Sequence, residues 1–171
     1  MTTGAAPFVP RIGSLDGPGV ARVLWDWLQR PSLRRATLVS FAFDPEFRWS
    51  YQEAPTQRLV QALERAAAQA DITLVVATNV VQEASDAGSR RRQALTRLAM
   101  AGAKVLCHET LHAKVFLFEE ADRWCWIVGS SNLTPGGLGK NSEVSLRGFH
   151  PSDFVAVDGA VLRLMSEAHP Y

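Results

Sequence analysis

The order in which helical and strand-like segments alternate is the feature that most constrains the fold of this chain. In the first two thirds, segments with apolar residues three and four positions apart alternate with short apolar, partly β-branched runs. The predicted helices lie at 20–30, at 56–70 and in a segment that ends at Ala101-Gly102, and the predicted strands at 36–43, 72–78 and 104–107. This α-β-α-β-α-β order favours parallel strands with helices packed against the sheet.

The pattern changes in the last third of the chain. Two apolar runs, 113–118 and 124–128, flank a short charged segment, which is typical of an antiparallel hairpin. A glycine-rich loop at 129–139 leads to another predicted strand at 143–147, and a final helix begins at Pro151. The predicted fold class is therefore α/β, a mixed β-sheet with helices on both faces.

Length and composition fit one domain without cross-links. The chain has 171 residues, 47% of them hydrophobic, and a domain of this size buries roughly 70% of its unfolded surface. Residues 1–19 carry three prolines and four glycines and are predicted to be an irregular lead-in, and residues 20–171 to be a single domain. Cys107 and Cys125 stand inside apolar runs and are predicted to be buried free thiols.

Charge and hydropathy exclude several classes of protein. With 18 Lys and Arg against 17 Asp and Glu, the net charge is +1, so a polyanionic partner must be bound by a local site. No apolar run approaches the ~20 residues that span a bilayer. The N-terminal segment lacks the basic and apolar regions of a signal peptide, so the sequence predicts a cytoplasmic protein.

Polar residues stand at the ends of the predicted hairpin strands. His112 and Lys114 are two positions apart, as are Ser130 and Asn132, so each pair shares one face of its strand. A hairpin centred on the charged turn brings all four side chains to one end of the sheet. Glu143 begins the next predicted strand, after the glycine-rich loop.

This set of side chains suits chemistry at phosphorus. Lys114 offers positive charge to a phosphoryl group, and Ser130 and Asn132 offer neutral donors to its non-bridging oxygens. A neutral His112 is able to attack phosphorus. A carboxylate such as Glu143 that accepts a hydrogen bond from Nδ1 would fix the tautomer required for this attack.

Residues 111–143 resemble the signature of the phospholipase D superfamily, and most closely its single-motif branch, which contains the small bacterial nucleases. The matching positions are His112 and Lys114, then Gly129, Ser130 and Asn132, then Asn141 and Glu143. The resemblance implies cleavage of a phosphodiester through a covalent phosphohistidine, with no metal and no cofactor. One motif histidine attacks, a second protonates the leaving oxygen, and the lysine, serine and asparagine hold the phosphate. Because this chain carries one such motif, the resemblance also implies a homodimer that brings the two copies of His112 together.

The resemblance further implies an acidic residue between the two halves of the motif. The family aspartate normally follows the histidine by seven residues, where this chain has Glu119. Counting back from Gly129 by the usual interval gives Asp122 instead, because the turn is three residues longer than the family pattern. Either acid is a candidate for this position, which is usually structural.

A second motif overlaps the first. Residues 108–112 read H-E-x-x-H, which on a helix binds zinc through its two histidines. The flanking runs are strand-like, however, and residues four apart on a strand lie ~13 Å apart, too far to share one ion. No metal site is therefore predicted, and His108 is kept only as an alternative proton donor within the chain.

Other residues are candidates for contacts with nucleic acid. The sequence has one basic cluster, which comprises Arg90, Arg91, Arg92 and Arg97. In the first turn of a helix, three arginines oppose the helix dipole, which favours an external anion such as a nucleic-acid backbone. A solvated helix face is the alternative. Trp49 and Tyr51 are candidates for stacking on bases, with a role in covering the core as the alternative.

The function that the sequence favours is a phosphodiesterase that acts on nucleic acid, DNA or RNA, as a homodimeric nuclease. The preference over lipid rests on the single-motif resemblance and on the lack of a membrane-anchoring segment. One alternative is a phospholipid phosphodiesterase or phosphatidyl transferase, which needs an exposed apolar entrance. Another is a non-catalytic nucleic-acid-binding subunit of a phage-defence or restriction system. Since the sequence shows no recognition domain, a separate specificity or helicase subunit is left open as a partner.

Overall fold

The computed structural model describes residues 12–49 and 57–171. The strands in these ranges are β1 (Ile12–Leu15), β2 (Arg35–Ser40), β3 (Asp71–Ala77), β4 (Lys104–His108), β5 (Val115–Glu119), β6 (Trp124–Gly129), β7 (Ser145–Gly148) and β8 (His169–Pro170). The helices are α1 (Gly17–Leu28), α2 (Leu59–Ala67), α3 (Thr78–Val81), α4 (Asp86–Met100) and α5 (Pro151–Ser166), and a short π-helical segment, Gly136–Lys140, precedes β7. All the described strands belong to one sheet, in the order β1-β7-β6-β5-β2-β3-β4-β8.

The sheet is mixed, as the change of pattern along the sequence predicts. β2, β3 and β4 are parallel, whereas β5 is antiparallel to both β2 and β6. In the β5–β6 hairpin Val115 pairs with Val128, and the next N–H along, that of Gly129, donates to the carbonyl of Lys114 at 3.1 Å. This register is the one that a hairpin centred on the charged turn requires.

Helices cover both faces of the sheet, which confirms the predicted fold class. α1, α2 and α4 bury their apolar stripes in a large core on one face, where Trp27 stacks on Phe118 with ring centroids 5.5 Å apart. On the other face α5 buries Phe154 and Val161. Arg35 ties α5 to the sheet, because its guanidinium donates to both carboxylate oxygens of Asp158 at 2.8 and 2.9 Å.

The prediction of an irregular lead-in is wrong for residues 12–19. Strand β1 pairs antiparallel with β7 at the edge of the sheet, and α1 begins at Gly17 rather than near residue 20. Asp16 caps α1 by accepting a hydrogen bond from the N–H of Gly19 at 2.8 Å. Pro18 fits in the first turn of α1, where the helix needs no backbone N–H donor. Residues 1–11 lie outside the described residues.

Two smaller predictions are confirmed. Gly102 has φ of 100° immediately after the C-cap of α4, a conformation that favours glycine. Cys107 and Cys125 are buried free thiols, and burial raises the pKa of Cys125 to about 12. Across the described ranges, none of the helices is both long enough and apolar enough to cross a bilayer.

Candidate active site

The predicted motif residues lie at one edge of the sheet, where β2 and β6 end and β5 begins. His112 and Lys114 stand just before β5, and Ser130 and Asn132 just after β6. The hydrogen bond between Gly129 and Lys114 brings the two segments side by side. The expectation that these side chains gather at one end of the sheet is therefore met by the fold.

Asn132 is held by the end of β2. Its Oδ1 accepts a hydrogen bond from the N–H of Ala42 at 3.2 Å and lies 3.4 Å from the hydroxyl of Ser40. Because the oxygen faces β2, the amide group Nδ2 is left to donate elsewhere, as binding of a phosphate requires.

Ser40 organises the loop that carries Asn132. It is fully buried, donates to the carbonyl of Ala42 at 2.7 Å and accepts from the N–H of Leu133 at 3.0 Å. Phe43 forms an isolated parallel bridge to Leu133 next to it. Ser40 is not among the residues predicted for the site, although a serine inside the apolar run 36–43 is the signal that marks it.

Two glycines allow the backbone of this loop to pack closely. A Cβ at Gly129 would overlap the side chain of Ser145, and a Cβ at Gly137 would overlap the backbone of Asn132. Steric crowding at these two positions thus explains why the motif region has glycine there.

Glu143 contacts Ser130 and not His112. The hydroxyl of Ser130 donates a short hydrogen bond to one carboxylate oxygen, and the amide of Asn141 lies 3.4 Å from the other. Ser130 Oγ also accepts from the N–H of Val144 at 3.1 Å. The expected hydrogen bond from His112 Nδ1 to Glu143 is absent, because the carboxylate is turned towards the loop that follows β6.

The imidazole of His112 is exposed and rests on an aromatic ring. It stacks on Phe41 with centroids 5.3 Å apart and planes 20° apart. The ammonium of Lys114 lies 5.7 Å from the centroid of the same ring and donates to the carbonyl of His112 at 2.7 Å. Within the described ranges the imidazole forms no hydrogen bond, so neither ring nitrogen is engaged.

Neither predicted motif acid lies at this site. Glu119 ends β5 at the opposite edge of the sheet, about 16 Å from Lys114 by strand rise, and binds Arg35 Nε at 2.9 Å. Asp122 is exposed in the hairpin turn.

The buried acid of this region is Glu120. Counting forward from His112 gives Glu119 instead, and counting back from Gly129 gives Asp122. Only 7% of the Glu120 side chain is exposed; it accepts a short hydrogen bond from the hydroxyl of Ser32 and binds Arg30 at 3.0 Å. The hydrogen bond from Ser32, with the nearby charge of Arg30, holds the pKa of Glu120 below its usual value. Glu120 therefore has the structural contacts expected of the motif acid.

The basic cluster is mostly engaged within the chain. α4 begins at Asp86, so the cluster lies beyond its first turn, contrary to the prediction. Arg91 donates to the carbonyl of Phe43 at 2.7 Å, Arg92 to that of Val81 at 2.9 Å, and Arg97 to Glu64 at 3.0 Å. Arg90 is exposed and has no hydrogen bond or ion pair with any described residue. The prediction that the cluster opposes the helix dipole is thus wrong, and of its four arginines Arg90 alone has a guanidinium that no described residue engages.

Trp49 belongs to the core rather than to a base-stacking surface. It is 1% exposed, packs edge-on against Trp25 at 5.0 Å and donates from its indole nitrogen to the carbonyl of Ala21 at 3.2 Å. Tyr51 lies outside the described residues.

The H-E-x-x-H segment is not helical. His108 ends β4, and its Nδ1 accepts a hydrogen bond from the N–H of Thr110 at 3.2 Å in the turn that follows. Its imidazole is buried, with Nε2 3.8 Å from Glu167. The geometry by which this motif chelates zinc is therefore not formed.

The comparison with known families identifies the superfamily of this chain. The model of a family described as "Cardiolipin synthase, PLD-like domain" matches residues 35–156, well over half of the chain. The chain belongs to the phospholipase D superfamily. It is thus a member of a superfamily of phosphodiesterases. No curated protein sequence matches the chain significantly.

Solved structures of other proteins share this fold at low sequence identity. Nuc from Salmonella typhimurium, a phospholipase D family member, has a TM-score of 0.68 and 16% identity, covering 94% of this chain and 95% of its own. NucT from Helicobacter pylori has a TM-score of 0.66 and 12% identity, covering 94% and 98%. Phosphatidylserine synthase from Haemophilus influenzae Rd KW20 has a TM-score of 0.59 and 15% identity, covering 94% and 40%. These likenesses confirm the phospholipase D fold.

Proposed function

We propose that this phospholipase D-like chain cleaves nucleic-acid phosphodiester bonds through a covalent phosphohistidine at His112. The observation that carries the proposal is the position of His112 and Lys114 at the start of β5, beside Ser130 and Asn132 at the end of β6. An exposed imidazole, which forms no hydrogen bond with the described residues, stands beside an ammonium and an amide that are able to bind phosphate oxygens.

The reaction requires two imidazoles, one that attacks phosphorus and one that transfers protons. A neutral His112 attacks phosphorus, so that an N–P bond forms while the bond from phosphorus to the leaving oxygen breaks. That oxygen takes a proton from a second imidazole, which then accepts a proton from the water that attacks the phosphohistidine and releases His112. Lys114 and the Nδ2 group of Asn132 stabilise the charge on the non-bridging oxygens in both steps.

The second imidazole is proposed to be His112 of the partner subunit in a homodimer. The surface beside the site supports this step. An apolar groove of about 380 Å³ runs between α5 and the sheet, lined by Ala113, Val115, Val128, Ala156, Val157, Ala160, Val161 and Leu164. Val128, which lines the groove, and Leu146, its partner on β7, extend this apolar surface and are 39% and 47% exposed. Because Ala113 directly precedes Lys114, a second copy that covered this surface would lie next to the site.

The same groove favours a second candidate function. A phospholipid phosphodiesterase or phosphatidyl transferase needs an apolar entrance beside its phosphate-binding residues, and this groove has that position. Phosphatidylserine synthase, one of the structural neighbours, is named for such a lipid. Nucleic acid is the preferred substrate because the sequence carries one motif, as in the single-motif branch that it resembles.

The test is cleavage of labelled oligonucleotides and plasmid in the presence of EDTA, with vesicles containing phosphatidyl lipids as the competing substrate. We expect cleavage of nucleic acid, a ³²P adduct on His112 after acid quenching, and loss of both in His112→Asn. His169→Asn is the matched control, because this exposed histidine stands on β8. That strand is four strands away from β5 in the sheet, a distance of about 19 Å. Turnover of phosphatidyl lipid alone would favour the second candidate. Binding of nucleic acid without cleavage would indicate a non-catalytic binding module.

A further inference from the structure

Phe41 is the residue on which both motif side chains before β5 rest. It follows β2 directly and is half-buried, with its ring packed against the smaller core beneath α5. Its ring is 5.3 Å from that of His112, within the 4.5–7 Å separation of interacting aromatic pairs. The ammonium of Lys114, 5.7 Å from the same centroid, is within cation–π range.

The stack matters because, among the residues that the structure describes, none orients the imidazole by a hydrogen bond. A nucleophilic histidine is ordinarily fixed by a carboxylate or carbonyl that accepts from its second ring nitrogen. Here the carboxylate that the sequence predicts for that role, Glu143, accepts a hydrogen bond from Ser130 instead. Rotation of the imidazole about its Cβ–Cγ bond would break the near-parallel contact with Phe41, so the contact restrains that rotation.

We propose that Phe41 is a positioning residue that sets the plane of the His112 imidazole and keeps the Lys114 ammonium beside it. This inference rests on the proposed function of His112 as the nucleophile. The ring contributes no proton and no ligand to phosphate. It acts by holding the attacking nitrogen in the orientation in which it meets phosphorus, and small misplacements of a reacting group are costly to rate.

The experiment separates the aromatic face from simple packing. Phe41→Leu keeps an apolar side chain of similar size without the π face, and Phe41→Tyr keeps the π face. Phe149→Leu is the control, since this exposed aromatic carries a similar cation–π contact with Arg147, at 5.4 Å, at the far end of β7. Each variant is assayed for kcat and KM on an oligonucleotide and for the chemical shifts of the His112 ring protons by NMR.

We expect Phe41→Leu to lower kcat by about tenfold with KM within about twofold, and to move the His112 ring-proton resonances downfield as the ring-current shift is lost. Phe41→Tyr retains the resonances and a kcat within about twofold, and Phe149→Leu changes neither. Unchanged kcat or unchanged His112 resonances in Phe41→Leu would overturn this inference while leaving the proposed function intact. An equal loss in Phe41→Tyr and Phe41→Leu would also overturn it. Failure of the wild type to cleave any phosphodiester would instead overturn the proposed function on which it rests.

Discussion

The hydroxyl of Ser130 donates its only proton to the carboxylate of Glu143, and its oxygen accepts from the N–H of Val144. A hydroxyl has one proton to donate, so Ser130 in this arrangement has none left for a phosphate oxygen. The sequence assigns Ser130 the same phosphate-binding role as Lys114 and Asn132. The structure instead makes it a link between the loop after β6 and the segment before β7.

The first prediction follows from this difference. Ser130→Ala is expected to lower kcat/KM by less than about tenfold, because it removes a loop contact. Lys114→Met and Asn132→Asp are expected to lower it by about 10²–10³-fold, the cost of losing a donor to transition-state charge. Steady-state kinetics on one oligonucleotide compares the three variants. A loss in Ser130→Ala as large as that in Lys114→Met would show that Ser130 rotates to bind phosphate during turnover.

Much of the fold follows from local patterns in the sequence. Alternation of helical and strand-like segments predicts the parallel strands β2 to β4, and the two runs around a charged turn predict the register of the β5–β6 hairpin. The predicted elements differ from the structure at their ends, where side-chain caps such as that of Asp16 decide where a helix begins. Strand β1 escaped prediction because four residues carry little periodicity and its partner, β7, lies far along the chain.

The motif residues are predictable, but their partners are not. His112, Lys114 and Asn132 stand out because polar residues interrupt apolar runs at strand ends. The N–H of Ala42, just after β2, holds Asn132 across 90 positions of sequence, and this contact arises only because β2 lies next to β5 in the sheet. The same holds for Glu120, because its hydrogen-bond partner, Ser32, is 88 positions away in sequence. The spacing of residues within a motif does not predict contacts that depend on the order of the strands in the sheet.

The second prediction concerns Glu120 and pH. Its pKa is lowered in the fold from an ordinary value near 4.5, chiefly by the hydrogen bond from Ser32. A carboxyl with a lowered pKa stabilises the folded state fully above the unfolded value, and this contribution is lost as the pH falls through the lowered pKa. Glu120→Gln is expected to reduce the free energy of unfolding by about 1.5–3 kcal/mol at pH 7, the range for hydrogen bonds to a charged group.

Urea denaturation at pH 7, 5 and 3.5 measures this effect. The difference between wild type and Glu120→Gln is expected to be constant between pH 7 and 5 and to shrink below about pH 4. Asp122→Asn, an exposed acid in the same turn, is the control and is expected to change stability by less than about 0.5 kcal/mol. A difference for Glu120→Gln that persists unchanged at pH 3.5 would contradict an ionised Glu120 in the fold.

The third prediction separates the arginines of α4. Arg90 has an unengaged guanidinium, whereas Arg92 donates to the carbonyls of Val81 and Glu83 at 2.9 and 3.0 Å. In a His112→Asn background, Arg90→Ala is expected to reduce the slope of log affinity for nucleic acid against log salt by about 0.7–0.9, the value for one phosphate contact, without changing Tm. Arg92→Ala is expected to lower Tm and leave that slope unchanged.

Fluorescence anisotropy at several salt concentrations, with thermal denaturation of the same samples, provides both measurements. If Arg90→Ala leaves the salt slope unchanged, Arg90 does not contact a phosphate. The basic cluster would then contribute no residue to the nucleic-acid surface. A lowered slope in Arg92→Ala with unchanged Tm would show instead that its contacts to Val81 and Glu83 are exchanged for phosphate on binding.

The fourth prediction tests whether the site needs two copies of the chain. If each reaction uses His112 from both subunits, only dimers of two wild-type chains are active, so an equal mixture with His112→Asn retains about one quarter of the activity of the same total of wild type. Independent monomers would retain about one half. Val128→Arg places a charge on the apolar surface beside the site and is expected to give an inactive monomer, since Val128 lines the groove and is 39% exposed. Met100→Arg, at an 83% exposed position on α4 on the opposite face, is the control and is expected to stay dimeric and active. Sedimentation velocity and circular dichroism report assembly and folding, and a folded Val128→Arg monomer with full activity would rule out the shared site.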